Sequence, residues 1–290
     1  MRIVVASGKG GTGKTLVATS LALAAAEQGQ ATLLDCDVEA PNAALFLKPT
    51  LNRRVEAVSL IPEVDAGRCT LCGKCGKVCQ YHAIAVLPQK VMVFRELCHG
   101  CGSCAVNCPE HAISEIPFAI GLLEFGRAGE MAFGQGTLNV GEAMATPVIR
   151  QLKKQAATVP AREATLTILD APPGTSCPVI ETLRGADFAL LVTEPTPFGL
   201  HDLKLAAEVA RDVLRIPTGV VINKDGVGDE GVEVFCREAG IPVLLRIPLD
   251  RRIAEAYSDG VPLIHALPEY RPAFEALLAH ICENVRGRAA

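Results

Sequence analysis

The sequence predicts an α/β protein: a doubly wound, mostly parallel sheet interrupted by a small inserted α+β segment. Two observations predict the sheet. Short apolar runs ending in Ser, Asp, Asn or Pro alternate with longer helical patterns at the N-terminal end and again from about residue 145, the rhythm of strand–helix–strand units. The first run, RIVVAS, passes into a glycine loop and then an apolar helical stretch, an order proper to a parallel sheet. A third observation predicts the insertion, because eight of the twelve cysteines crowd between residues 63 and 116. The expected division is therefore 1–62 with 117–290 for the sheet, and 63–116 for the inserted domain.

Composition bounds the possibilities. With 290 residues, 49% hydrophobic and 21% charged, the chain can bury a large core and is not of the disordered class. A net charge of -4, without blocks of one sign, gives no basic footprint for nucleic acid. The longest run free of ionisable side chains, Thr15 to Ala26, is shorter than the roughly 18 residues of a membrane span and reads as a buried helix. The opening MRIVVAS lacks the features of a signal peptide, so a cytoplasmic location is expected. Cysteines kept there point to metal ligation rather than disulfides.

Taken in order, the first element is RIVVAS, a buried strand. It leads into Gly8, Lys9, Gly10, Gly11, Thr12, Gly13, Lys14 and Thr15, a G-x4-G-K-T loop. Its glycines let backbone N–H groups approach phosphates, the helix start adds its positive end, Lys14 reaches the β/γ oxygens and Thr15 offers a hydroxyl to Mg2+. ATLLDCDVEAPN, residues 31 to 42, places Asp35 and Asp37 at the end of a second strand. VEAVSLIP then leads to the cysteines, and IGLLEFGRAGEMAFGQGTLNVGEAM returns to the sheet as glycine-punctuated strands. TLTILDAPPGT ends a further strand at Asp170, followed by Gly174. Carboxylates gathered at strand ends on the phosphate side favour a functional role over helix capping. ADFALLVTEPTPFGLHDLKLA supplies a strand, a proline-rich turn and a helix; TGVVINKDG and VLLRIPLD supply strands ending near Asn223 and Pro248. The last helix, from Ala273 to Val285, spaces Phe274, Leu277, Leu278 and Ile281 on one face, a core-packing pattern. The tail ENVRGRAA carries no lipid anchor.

The cysteines fall at Cys69, Cys72, Cys75 and Cys79, then Cys98, Cys101, Cys104 and Cys108, each set spaced C-x2-C-x2-C-x3-C at an offset of 29 residues. Gly73 and Gly102, His82 and His111, and Ala83-Ile84 and Ala112-Ile113 repeat with them, as in a pseudo-twofold, two-cluster module. Three close cysteines can wrap one face of a cubane while the fourth points at the neighbouring cluster. C-x2-C pairs also bind tetrahedral zinc, but zinc has no need of the whole run twice. The two histidines read as surface or capping residues rather than ligands. Of the other cysteines, Cys236 and Cys282 read as small core residues; Cys36 and Cys177 adjoin the strand-end carboxylates.

The cysteine run resembles bacterial two-cluster ferredoxins. That resemblance implies two 4Fe-4S clusters, one held by Cys69, Cys72, Cys75 and Cys108, the other by Cys79, Cys98, Cys101 and Cys104. Pro109 follows the last cysteine as in that family, whereas Gln80 stands where a proline usually follows Cys79. The glycine loop, with its early Lys9, resembles the deviant Walker A of the MinD/ParA/nitrogenase-iron-protein (SIMIBI) class of ATPases. That resemblance implies ATP with Mg2+, Lys9 contacting nucleotide across a dimer interface, and Asp37 orienting the attacking water in the first switch. It also implies Asp35 and Asp170 on the magnesium side, Gly174 near the γ-phosphate in the second switch, and Asn223 and Pro248 at the adenine. Members with an inserted ferredoxin segment are often labelled cobyrinic acid a,c-diamide synthase; that activity needs an amidotransferase domain, for which the chain has no room. Three functions follow from the resemblance: an ATP-switched homodimer or heterodimer passing electrons through its clusters to a redox partner, an iron–sulfur carrier or assembly ATPase of the Mrp type, or a positioning ATPase with structural clusters.

Overall fold

Short β-branched runs alternating with alanine- and leucine-rich stretches yield the expected layers in the computed structural model, which describes residues 1–29, 31–157 and 166–289. In chain order these are β1 (Arg2–Ala6), α1 (Lys14–Gln28), β2 (Ala31–Asp35), α2 (Ala43–Leu47), β3 (Thr50–Val64), α3 (Lys74–Val78), β4 (Ile84–Val86), β5 (Val91–Val93), α4 (Ser103–Val106), β6 (Ile113–Ala128) and β7 (Met131–Leu138). There follow α5 (Ala145–Ala156), β8 (Leu166–Asp170), α6 (Cys177–Leu183), β9 (Phe188–Thr193), α7 (Pro197–Ala207), β10 (Thr218–Asp225), α8 (Gly231–Ala239), β11 (Val243–Pro248), α9 (Arg251–Ser258), α10 (Leu263–Ala266) and α11 (Arg271–Ala289). Thr165, which opens the expected TLTILD strand, and Ala290 of the tail lie outside the described residues.

Among the described residues one sheet of nine strands runs β11-β10-β9-β1-β8-β2-β7-β6-β3. From β11 to β7 every pairing is parallel; β6 is antiparallel to both its neighbours. Alternation along the central strands splits the apolar residues between two cores. Ile3 and Val5 of β1 face α1, α10 and α11, whereas Val4 and Ala6 face α5, α6, α7 and α8. Phe274, Leu277, Leu278 and Ile281 of α11 are all buried, as the 3.6-residue spacing predicts, and α1 is buried along almost its whole length.

The register places the chemistry. Asp35 pairs with Asp170 across β2 and β8, and Val5 pairs with Asp170 across β1 and β8. Both carboxylates therefore stand at the C-terminal edge of the parallel strands, beside the loop that leaves β1.

At the other margin, β3 and β6 pair from Thr50↔Arg127 to Val64↔Ile113, while β7 covers β6 only from Gly121 onward. Past that point the two strands leave the sheet as a ribbon about 25 Å long at the usual strand rise. Residues 65–112 depart from its tip and pack back along it: Ile61, Ala83 and Cys98 cluster with Phe118, and Arg95 lies over the Phe118 ring at 4.1 Å. Pairing continues to Val64 and resumes at Ile113, past the expected boundaries at 63 and 116, because the intervening residues all join the ladder.

At the tip the sequence repeat is a backbone repeat. α3 and α4 start 29 residues apart, each behind a left-handed glycine, Gly73 (φ 77°) and Gly102 (φ 72°). His82 (φ 53°) and His111 (φ 47°) are left-handed too, and their N–H groups donate to the carbonyls of Cys79 and Cys108. The paired histidines thus close matching turns.

Candidate nucleotide site and cysteine recesses

Residues 7–13 join β1 to α1. Gly13 turns the chain at φ 90°, and a Cβ there would lie 2.1 Å from Asn223 Nδ2, so conformation and space both demand glycine. At Gly8 a Cβ would lie 2.2 Å from the carbonyl oxygen of Asp202. Asn223 Nδ2 donates to the Thr12 carbonyl at 2.8 Å, pinning the loop to the end of β10.

Asp170 joins the centre together. Lys14 Nζ donates to its Oδ1 at 2.7 Å and Thr15 Oγ1 to its Oδ2 at 2.6 Å. Burial lowers the Lys14 pKa, but the charge and hydrogen bond of Asp170, helped by Asp37 and Asp35, outweigh it and hold the value above the usual lysine range. Asp35 is fully buried and accepts N–H donors from Asp37 (3.1 Å), Asn42 (2.9 Å) and Ala43 (2.9 Å). Burial, then the Asp170 charge, push its pKa up to about 7. Asp37 is half-buried; burial raises its carboxyl and Lys14 pulls it back. Three carboxylates against one ammonium leave a surplus of negative charge suited to a divalent cation, and Thr12 Oγ1 is buried beside them without a partner.

Gly174 lies on the same side, its N–H donating to the Ser7 carbonyl at 2.9 Å, so the loop after β8 touches the glycine loop directly. Asn223 and Pro248 line one open cleft with Gly11, Gly13, Leu16 and Tyr257. Lys14, Thr15, Asp35, Asp37 and Asp170 thus lie together at the strand ends, with Gly174 against the glycine loop and Asn223 and Pro248 in the adjoining cleft.

Lys9 shows a partner the sequence reading missed. Its Nζ meets Glu194 Oε1, while Lys224 Nζ reaches Glu194 Oε2 at 3.1 Å and the Gly11 carbonyl at 3.1 Å. Burial would raise the Glu194 pKa; hydrogen bonds from the two lysines outweigh it and lower it. Glu194 follows β9 directly, a strand-end carboxylate like Asp170, and the same rule applied to VTEP would have found it.

The eight repeated cysteines divide into two recesses. Cys69, Cys72, Cys75 and Cys108 line the first; Cys79, Cys98, Cys101 and Cys104 line the second. Ala83 N–H donates to Cys79 Sγ and Ala112 N–H to Cys108 Sγ, both at 3.3 Å. Burial raises the Cys75, Cys98 and Cys104 thiols, while Cys72 and Cys101 are exposed. Among the described residues no group of three or more His, Cys, Asp or Glu is placed to hold a metal ion.

The remaining cysteines separate clearly. Cys36 is fully buried and its thiol is pushed far up by burial. Cys236 is buried, with its pKa raised to about 11, and Cys282 packs on the core beside α1. Cys177 is exposed at the first residue of α6.

A glycine loop between β1 and α1, whose Lys14 and Thr15 both seize a carboxylate ending a neighbouring parallel strand, defines a P-loop ATPase. The chain belongs to the CobQ/CobB/MinD/ParA nucleotide binding domain family, which matches residues 3–263. The uncharacterized protein MJ0579 of Methanocaldococcus jannaschii is 31% identical over 266 residues, 90% of each chain. The iron-sulfur cluster carrier protein of the same organism is 28% identical over 137 residues, 42% of this chain and 47% of that one. The septum site-determining protein MinD of Pyrococcus horikoshii, solved with Mg-ADP, shares the fold with a TM-score of 0.57 at 20% identity, covering 97% of this chain and 95% of its own. Among the described residues no helix is long and apolar enough to cross a membrane.

Proposed function

We propose that the chain is an ATP-switched iron–sulfur protein, with its nucleotide centre on the sheet and two 4Fe-4S clusters at the ribbon tip. One observation carries this reading: each recess is lined by three cysteines of one run and the fourth of the other. A cubane takes one thiolate per iron, spread around its body; the two recesses and the N–H donors on Cys79 and Cys108 suit that donor set. When bound, the clusters would supply one-electron chemistry or be passed on.

At the nucleotide, Lys14 would neutralise the β/γ oxygens, Thr15, Asp35 and Asp170 would hold Mg2+, and Asp37 would orient the attacking water. The backbone N–H groups of residues 8–13 would cradle the phosphates, with Gly174 at the γ-phosphate. Asn223 and Pro248 would border the base. Lys9, held by Glu194 within the chain, would exchange that partner for nucleotide across a homodimer or a heterodimer with a related ATPase.

The named relatives favour a carrier or assembly role over the electron transfer that the cysteine spacing suggests. Electron transfer stands as the second reading, favoured by the completeness of both ligand sets and the burial of Cys75, Cys98 and Cys104. Protein prepared without oxygen should hold about eight iron and eight sulfide per chain. Mixed with an apo-ferredoxin and ATP, a carrier loses clusters to the acceptor as ATP is hydrolysed. An electron donor keeps its iron and instead reduces an acceptor in an ATP-dependent manner. Stoichiometric zinc without sulfide would refute both.

A further inference from the structure

Beyond Gly121 the ribbon loses its pairing with β7, but its base is pinned. At that point the β3–β6 ladder skips a residue: Ala57 pairs with Gly121 and Val58 with Ala119, leaving Ile120 as a bulge. A bulge is where a ribbon can change its bend and twist. The Val58 N–H donates to Gln151 Oε1 at 3.1 Å, and Gln151 Nε2 donates to the Val58 carbonyl at 2.9 Å. One carboxamide of α5 thus takes both backbone groups of β3 at the bulge. On the other strand, the Asn139 N–H and Nδ2 donate to the carbonyls of Ile120 (2.9 Å) and Ala119 (3.1 Å).

Both attachments lead back to the nucleotide centre. Next to Gln151, Arg150 donates to both carboxylate oxygens of Glu181 at 3.2 Å. One turn on, Lys153 Nζ donates to the carbonyls of Glu181, Thr182 and Arg184. These residues belong to or directly follow α6, the helix after the Gly174 loop. Asn139 follows Leu138, whose N–H donates to the carbonyl of Val38 at 2.8 Å, the residue after Asp37. The loops carrying Asp37 and Gly174 therefore meet at one bulge, through β7 and through α6–α5.

We propose that Gln151 is a positioning residue that transmits the nucleotide state to the ribbon and so sets the orientation of residues 65–112. The proposal rests on the reading that the Asp37 and Gly174 loops respond to nucleotide. Movement of either loop shifts α5 or the end of β7 against Val58 and Ile120, and the bulge passes that shift to Ile61 and Phe118, on which Cys98 and Arg95 of the inserted residues pack.

Hydrogen exchange of the full chain, with and without a non-hydrolysable ATP analogue, tests this. The wild type should show nucleotide-dependent exchange at residues 57–64 and 113–121, together with new protection over the glycine loop. Gln151→Met keeps the side-chain length but loses both bonds, so exchange at Val58 should quicken on the order of tenfold and the response at 113–121 should vanish. Protection of the glycine loop and ATP turnover should persist. Arg150→Met, which removes one of the two α5–α6 links from a more exposed position and leaves Lys153 in place, should weaken the same response. The proposal is overturned if Gln151→Met keeps the wild-type ribbon response, if the wild type protects its glycine loop without any ribbon response, or if the variant loses both responses together. Failure of glycine-loop protection in the wild type would instead remove the nucleotide reading beneath it. Iron content, measured separately, reports on the clusters.

Discussion

Lys153 ends α6 from outside the helix. Its ammonium reaches the carbonyls of Glu181 at 2.6 Å, Thr182 at 3.0 Å and Arg184 at 2.8 Å, groups that a helix C-terminus leaves without partners. Replacing it with Met keeps most of the stem and removes the donor. The Arg184 carbonyl is near solvent and can turn to water, so the loss falls mainly on the two part-buried carbonyls, about 1–2 kcal/mol each. Part returns, because burial holds the Lys153 pKa below the usual lysine range, which means that the charged form is strained in the fold. The net expectation for Lys153→Met is a loss of about 1–3 kcal/mol, read as a lower urea midpoint at pH 7 with an unchanged slope. The sign with pH is also fixed. A lysine with a depressed folded pKa sheds its proton before the unfolded chain does, so wild-type stability rises as pH climbs through that range. The gap between wild type and variant should therefore widen as the pH rises through the lowered value toward the usual lysine range. Equal midpoints at pH 7, or a more stable variant, would show that the buried ammonium is a net burden and that α6 does not need it.

Gly13→Ala must place a Cβ against Asn223 in a left-handed conformation; about 2 kcal/mol of stability and all measurable ATP binding should go, as calorimetry and titration would show. The proposed crossed ligation makes the cysteine variants pair across the two runs: Cys108→Ala should lose the electron paramagnetic signal that Cys69→Ala loses, and Cys79→Ala the signal that Cys98→Ala loses, with about half the iron gone in each. The opposite pairing would mean that each run closes its own site. Glu194 has a depressed pKa, so its bonds to Lys9 and Lys224 contribute fully above about pH 4.5 and are lost as the pH falls through the lowered value. The midpoint difference between wild type and Glu194→Gln should accordingly be present at pH 7 and shrink as the pH falls below about 4.5 and through the lowered value.

What could be read from the sequence was whatever is local. GKGGTGKT, the runs ending at Asp35 and Asp170, and the α11 stripe of Phe274, Leu277, Leu278 and Ile281 each carry their own period or turn chemistry, and each lies where expected. The cysteine offset of 29 residues likewise appears as two matching turns. What escaped depends on pairing at long range. Thr50 to Val64 mixes Arg53, Arg54 and Glu56 among its apolar residues, so no period of its own marks it; only β6 opposite makes it a fifteen-residue edge strand. Glu194 gains its meaning from Lys9, 185 residues away, and Gln151 from Val58, 93 residues away. No window along the chain contains either pair.

Val64 and Ile113 are cross-strand neighbours, so the forty-eight residues between them leave and re-enter the ladder at a single rung. Chain closure there asks no more of the sheet than a hairpin turn does. A two-residue Asn-Gly connection could take the place of the whole tip without moving a strand, which makes this rung the natural point of exchange. Another small domain, a reporter or nothing at all could be mounted on the same ribbon, with the nucleotide centre left intact.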